Sequence, residues 1–202
     1  MSALSVALTG GIASGKTVVT RLLSERGAII IDSDLLSREV VEPGTRGLAE
    51  IVERFGAGVL AADGSLDRQA LGEIIFVDDE ARNDLNGIIH PEIRRRRAEL
   101  IASAPEDAIV ISVIPLLVEG GLKDDFEGVI VIDVPREIQI DRLKARNGLD
   151  DGQAQARVAA QASRAERLAA ATWIIENSGS YNQLRAQVEM VWDALAKKAR
   201  ER

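Results

Sequence analysis

Residues 10–17, Gly10-Gly11-Ile12-Ala13-Ser14-Gly15-Lys16-Thr17, fit the pattern G-x-x-x-x-G-K-[ST]. Glycines at these places let successive backbone N–H groups turn inward on an anion. A helix starting near Gly15 adds the positive end of its dipole. In this pattern the lysine reaches the β- and γ-phosphates of a nucleoside triphosphate, and the following hydroxyl ligates Mg2+. Gly11, Ile12, Ala13, Ser14, Gly15, Lys16 and Thr17 are therefore the candidate triphosphate-binding residues. Lys16 is the candidate catalytic cation and Thr17 a candidate metal ligand. A glycine-rich connection that binds nothing is the competing reading. The apolar run before the loop and the helical pattern after it disfavour that reading.

A second candidate group is Asp32-Ser33-Asp34, which closes the next apolar run. Ligands of open parallel sheets bind beyond the carboxyl ends of the strands. If the strand continues, acids at i and i+2 point the same way. One carboxylate can hold a Mg2+ water and the other can orient or deprotonate an alcohol. Asp32 is assigned to the metal and Asp34 to the hydroxyl; the alternative is that either simply starts the next helix. The run IVISVIP (109–115) carries no acid where many phosphate-loop ATPases bind Mg2+, and no guanine-reading Asn/Thr-Lys-x-Asp occurs. Both absences point toward small-molecule kinases. Further along lie Arg142, Arg146, Arg157, Arg164 and Arg167. A planar guanidinium suits a phosphoryl group in transfer. Asn147-Gly148 offers a hinge beside Arg146, and Asp150-Asp151 begins a new helix, so residues 146–160 read as a short lid. Its closure would exclude water.

These residues need elements to hold them. Apolar runs at 4–9, 28–32, 108–114, 129–134 and 172–176 are continuous rather than alternating, as in strands buried on both faces of a parallel sheet. Helical patterns between them predict an α/β three-layer fold with a five-stranded parallel sheet. Residues 33–107 are far more than one crossover needs, and helical patterns at 35–41, 45–55, 68–76 and 80–103 predict a helical insertion. A final amphipathic helix is expected over 181–202. The 202 residues suffice for one domain with a small inserted subdomain.

Composition excludes other classes. A net charge of −7 disfavours a nucleic-acid binder with a basic face, and 3% aromatics disfavours base-stacking platforms. The absence of cysteine removes disulfides and thiolate metal sites and fits a reducing cytosol. No apolar run is long enough to span a bilayer, and residues 1–9 do not read as a secretory signal. A cytoplasmic protein is expected.

Taken together, these segments resemble the dephospho-coenzyme A kinase family. "ALTGGIASGKT" is similar to that family's opening, and "IDSDLLSREVVEPG" (31–44) to its second-strand and helix segment. "FGAGVLAADGSLDRQALGEIIF" (55–76), "IIHPEI" (88–93), "IPLLVEGGL" (114–122) and "QASRAERL" (161–168) also resemble family segments. The resemblance runs from near residue 4 to about 180. It implies an adenylate-kinase-like phosphate-loop kinase that transfers the γ-phosphoryl of ATP to the ribose 3′-hydroxyl of dephospho-CoA, the last step of coenzyme A synthesis. It implies a core of 1–34, 105–145 and 161–202, a CoA-binding insertion at 35–104 and a lid at 146–160. By the same resemblance Asp34 is the base and Arg146 the lid arginine. Arg38, His90, Leu116, Leu117 and Arg164 would meet the acceptor or its phosphates, and Asn177 would lie near adenine. The expected ligands are ATP with Mg2+ and dephospho-CoA, with no nucleic acid and no membrane, on a monomer or weak homo-oligomer. Another small-metabolite kinase, such as shikimate kinase, is the alternative.

Some residues depart from the family pattern or keep two readings. Ala13 stands where glycine is expected and is tolerable at negative φ. Thr17-Val18 replaces the commoner Ser-Thr but keeps the hydroxyl. His90, before Pro91 at an apparent helix start, is either structural or an acceptor contact. Arg94–Arg97 covers every direction of a helix, so at least two of the four must face solvent or neighbouring acids; the run reads as solvated, with phosphate contact as the alternative. Glu119 either reaches the site or caps the next turn. Trp173 and Trp192 read as core packing.

Overall fold

Five apolar runs pair into one parallel sheet in the computed structural model, which describes residues 2–202. The strands are β1 (Leu4–Gly10), β2 (Ile29–Asp32), β3 (Ile109–Val113), β4 (Val129–Asp133) and β5 (Trp173–Glu176). The helices are α1 (Lys16–Glu25), α2 (Ser33–Glu39), α3 (Arg46–Phe55), α4 (Arg68–Val77), α5 (Asp79–Ser103), α6 (Arg136–Asn147), α7 (Asp151–Ala159), α8 (Arg164–Ala169) and α9 (Tyr181–Arg200). Two compact units result: Met1–Asp32 with Ile101–Arg202, and Ser33–Leu100.

The first unit holds the sheet, in the order β2-β3-β1-β4-β5. Every residue of β3 and β4 is buried, which is why those runs are apolar throughout. Val6 pairs with Ile111 and Leu8 with Ile130. Successive side chains take opposite faces. Val6, Leu8, Ile130 and Ile132 pack with Leu23 of α1 and Leu184, Val188 and Leu195 of α9. Ala7, Val129 and Val131 pack on the other side with Ile114, Leu117 and Leu168. Each large aliphatic side chain so buried contributes about 1.5–3 kcal/mol. Trp173 and Trp192 lie against the first of these clusters, as core packing. Because β1 sits between β3 and β4, the chain leaves it toward one edge and later crosses to the other. The carboxyl end of β1 is the crevice where ligands of such sheets bind.

Local chemistry sets the ends of α6, α7 and α8. α6 stops where Gly148 turns left-handed at φ 64°, and the Asp150 carboxylate accepts from the Gln153 N–H at 2.8 Å to start α7. Gln153 reciprocates by accepting from the Asp150 N–H at 3.3 Å. Ser163 and Glu166 repeat the device at α8.

The second unit is helical, with its own core of Val40, Val41, Ile51, Val59, Leu71 and Leu85. Thr45 caps α3 by accepting from the Leu48 N–H at 3.2 Å, and Asp67 caps α4 through the N–H groups of Gln69 and Ala70. Two expectations are corrected in α5. His90 and Pro91 lie inside this helix rather than at its start. Proline deprives the Gly87 carbonyl, four residues back, of its helical donor, at a cost of roughly 3 kcal/mol. Ile88, Ile89 and Ile93 on either side pack against the unit's core, and that burial offsets the loss. The arginine run is not uniformly solvated either. Arg94 is exposed, Arg95 pairs with Glu92 and Glu99, Arg96 pairs with Glu39 at 2.6 Å, and Arg97 is only 5% exposed. Among the described residues, no helix is long and apolar enough to cross a membrane.

Candidate functional site

The glycine-rich loop leaves the carboxyl end of β1 and enters α1 at Lys16. No side chain caps α1; its N-cap is Gly15, in the left-handed region at φ 91°. The first-turn amides are thus not taken by a capping side chain, and the helix dipole adds to them. A Cβ at Gly15 would stand 2.3 Å from Asn177 Nδ2, and one at Gly11 would stand 2.3 Å from Gln139 Nε2. At both places glycine makes room for an amide side chain that reaches the loop. Lys16 folds along the loop, its Nζ donating to the carbonyls of Gly10 at 2.7 Å and Gly11 at 3.1 Å.

Ala13 overturns an expectation. Its φ is +59°, the left-handed region that a Cβ makes unfavourable, not the negative value that would suit alanine. The surrounding hydrogen bonds hold it there. Ala13→Gly is expected to raise stability by about 1 kcal/mol, seen as a higher denaturation midpoint. An unchanged or lower midpoint would contradict the strain.

Side chains from three later segments reach the loop backbone. Gln139 of α6 donates from Nε2 to the Ile12 carbonyl at 2.7 Å, and Arg142 of the same helix approaches the Ala13 carbonyl at 3.4 Å. Asn177 donates from Nδ2 to the Ser14 carbonyl at 2.8 Å. Gln161 accepts from the Ile12 N–H at 2.6 Å. Behind them, Arg142 donates to the Asn177 carbonyl at 2.8 Å, and the Asn177 N–H donates to the Asp133 carbonyl at 2.9 Å. Asn177 is buried, and its amide nitrogen serves the loop backbone.

The segment between α7 and α8 is tied down at several points. The Ala162 N–H donates to Glu119 Oε1 at 2.8 Å. Arg167 donates to the Ala162 carbonyl. Arg164 grips Asp133 with two hydrogen bonds, at 2.8 and 2.6 Å. That carboxylate raises the Arg164 pKa above its usual value. Burial lowers the Arg167 pKa, opposed by Glu119 and Asp133.

The remaining candidates are placed as follows. Asp32 ends β2, while Ser33 already begins α2, so Asp34 sits in the first turn of that helix and is exposed. The shared strand direction expected of the two acids therefore does not apply. Arg38 is exposed in the last turn of α2, and His90 is exposed within α5. Arg146 is exposed at the end of α6, with Nε donating to Asn147 Oδ1 at 2.9 Å. Leu116 is 53% exposed, but Leu117 is fully buried in the core beside Ala7 and Val131 and cannot line an open site. The structure thus brings Gly11–Thr17 together with Asn177 and with Arg142, one of the arginines singled out in the sequence, and adds Gln139 and Gln161, which the sequence did not single out. One signal for Gln139 was present. It shares a helix face with Leu143 four residues on, and a polar side chain in an apolar stripe needs a partner.

Thr17 offers an exposed hydroxyl and Asp32 a partly exposed carboxylate. Both are hard oxygen donors of the kind Mg2+ takes. Among the described residues no cluster of three or more His, Cys, Asp or Glu could cage a metal. In phosphate-transfer sites Mg2+ is usually held by one or two protein oxygens together with phosphates and water.

A family model described as dephospho-CoA kinase matches residues 4–183. A dephospho-CoA kinase of Thermobifida fusca is 49% identical over 98% of this chain and 100% of its own. One of Mycolicibacterium paratuberculosis is 47% identical over 94% of this chain, which spans 47% of that longer relative. The solved dephospho-CoA kinase of Campylobacter jejuni superposes with a TM-score of 0.74 at 28% identity, covering 96% of this chain and 98% of that one. A shikimate kinase of Acinetobacter baumannii shares the fold alone, at 17% identity and a TM-score of 0.54 over 97% of this chain and 94% of its own.

Proposed function

The chain belongs to the dephospho-CoA kinase family, and on that premise we propose that it moves the γ-phosphoryl group of ATP to the ribose 3′-hydroxyl of dephospho-CoA, giving coenzyme A and ADP. The observation that carries the reading is the phosphate loop at the end of β1 within a family match spanning residues 4–183. Amides of the loop and the Lys16 ammonium bind the phosphates and take up the charge that grows on them in transfer. Thr17 and Asp32 would hold Mg2+, which would supply charge neutralisation at the phosphates. Asp34 accepts the proton of the 3′-hydroxyl as that oxygen bonds to the γ-phosphorus and the bond to the ADP oxygen breaks. Arg146, on the hinge side of the 146–160 lid, adds positive charge to the group in flight, and the closed lid keeps water from competing. The 35–104 helical region, Arg38, His90 and Leu116 are assigned to the acceptor by their likeness to the family's segments. Arg164, paired with Asp133, is assigned to the phosphates by its likeness to the family's segment.

The test is acceptor-dependent ADP release. With ATP and Mg2+, dephospho-CoA is expected to stimulate release and shikimate is not. Stimulation by shikimate alone would overturn the acceptor while leaving the loop reading intact.

A further inference from the structure

Ile12 is gripped from both ends of its backbone. Its N–H meets Gln161 Oε1 at 2.6 Å, and its carbonyl meets Gln139 Nε2 at 2.7 Å. The orientation of each carboxamide is fixed by its partner, since an N–H needs an acceptor and a carbonyl needs a donor. Gln139 is 2% exposed, and Gly11 has no Cβ to exclude it.

A trans peptide is planar, so the carbonyl of one residue and the N–H of the next point opposite ways. Holding the Ile12 N–H toward Gln161 turns the Gly11 carbonyl away from Gln161. There it accepts from the Ser14 N–H at 3.1 Å and from Lys16 Nζ at 3.1 Å. Holding the Ile12 carbonyl toward Gln139 turns the Ala13 N–H away from Gln139. The same logic at Asn177, which holds the Ser14 carbonyl at 2.8 Å, turns the Gly15 N–H away from Asn177. Side chains behind the loop thus set which way its amides face. They also hold Ala13 in its left-handed conformation, at φ +59°.

Gln161 has a second connection. It follows Ala160, the C-cap of α7, and precedes Ala162, whose N–H and carbonyl are held by Glu119 and Arg167. Gln161 is therefore the residue through which the far end of the lid is fastened to the phosphate loop.

We infer that Gln139 and Gln161 are positioning residues for the triphosphate, a two-sided clamp on Ile12 that presets the loop amides. The inference rests on the assignment of ATP to this loop. Neither side chain touches a reacting atom; both act through the Ile12 backbone.

Gln139→Met and Gln161→Met keep much of the side-chain volume and remove the hydrogen bond. Direct titration with Mg·ATP, without acceptor, is expected to give a Kd raised about tenfold for Gln139→Met, the scale of one lost buried hydrogen bond. Gln161→Met is expected to give roughly a three- to tenfold rise. KM for dephospho-CoA should stay within about twofold in both, because the clamp acts on the donor side alone. If Gln139→Met does not fold, Gln161→Met, at a less buried position, carries the test. Variants that melt earlier but bind Mg·ATP as the wild type does would overturn the clamp and leave the residues merely structural. A wild type that fails to bind Mg·ATP would overturn the ATP assignment and the clamp with it.

Discussion

Lys16→Ala is expected to lower kcat by about 10²–10³-fold, the usual loss when one donor to a developing oxyanion is removed. Lys16 Nζ now lies on the carbonyls of Gly10 and Gly11, so its charge is already held at the mouth of the loop rather than recruited from solvent. A cation fixed there serves the transition state more than the ground state, since negative charge grows on the transferring oxygens. The loss should therefore fall mainly on kcat, with a smaller rise in the ATP Kd. Steady-state rates at saturating ATP, with the Kd measured separately, read the division. A kcat within tenfold of wild type would contradict the role. The denaturation midpoint should change little, because Lys16 is only partly buried.

Asp34→Asn is the second large effect. A side chain that takes the hydroxyl proton contributes typically 10²–10⁴-fold, and asparagine cannot accept that proton. We expect kcat to fall by about that factor while ATP binds within about threefold of wild type. The competing explanation has its own signature. Asp34 lies in the first turn of α2, where a carboxylate favours the helix by about 0.3–1 kcal/mol. If that were its whole purpose, Asp34→Asn would lower the denaturation midpoint slightly and leave kcat intact. Kinetics and melting on one variant therefore separate base from helix start.

The parts that were legible in the sequence were local. The loop could be read because strand, glycines and helix follow one another within residues 4–25. Strands such as Ile109–Val113 announced themselves as unbroken apolar runs because both faces are covered. Other features depend on distant partners. Gln139 and Gln161 meet Ile12 across 127 and 149 residues, a separation at which no periodicity speaks. Ala13 looked compatible with negative φ because its conformation is imposed by the side chains holding its neighbours. Pro91 suggested a helix start by its own chemistry, but the isoleucines around it and the core they pack on carried the helix through. Adjacent leucines divided, Leu116 outward and Leu117 into the core, in a turn with no pattern to predict it.

The account stands most directly on the product. Purified protein mixed with ATP, Mg2+ and dephospho-CoA should yield ADP and a CoA species heavier by one phosphoryl group, with phosphorus–proton coupling placing that group on the ribose 3′-oxygen. A dephospho-CoA mass unchanged while ATP is consumed, or a phosphoryl group at another position, would contradict it.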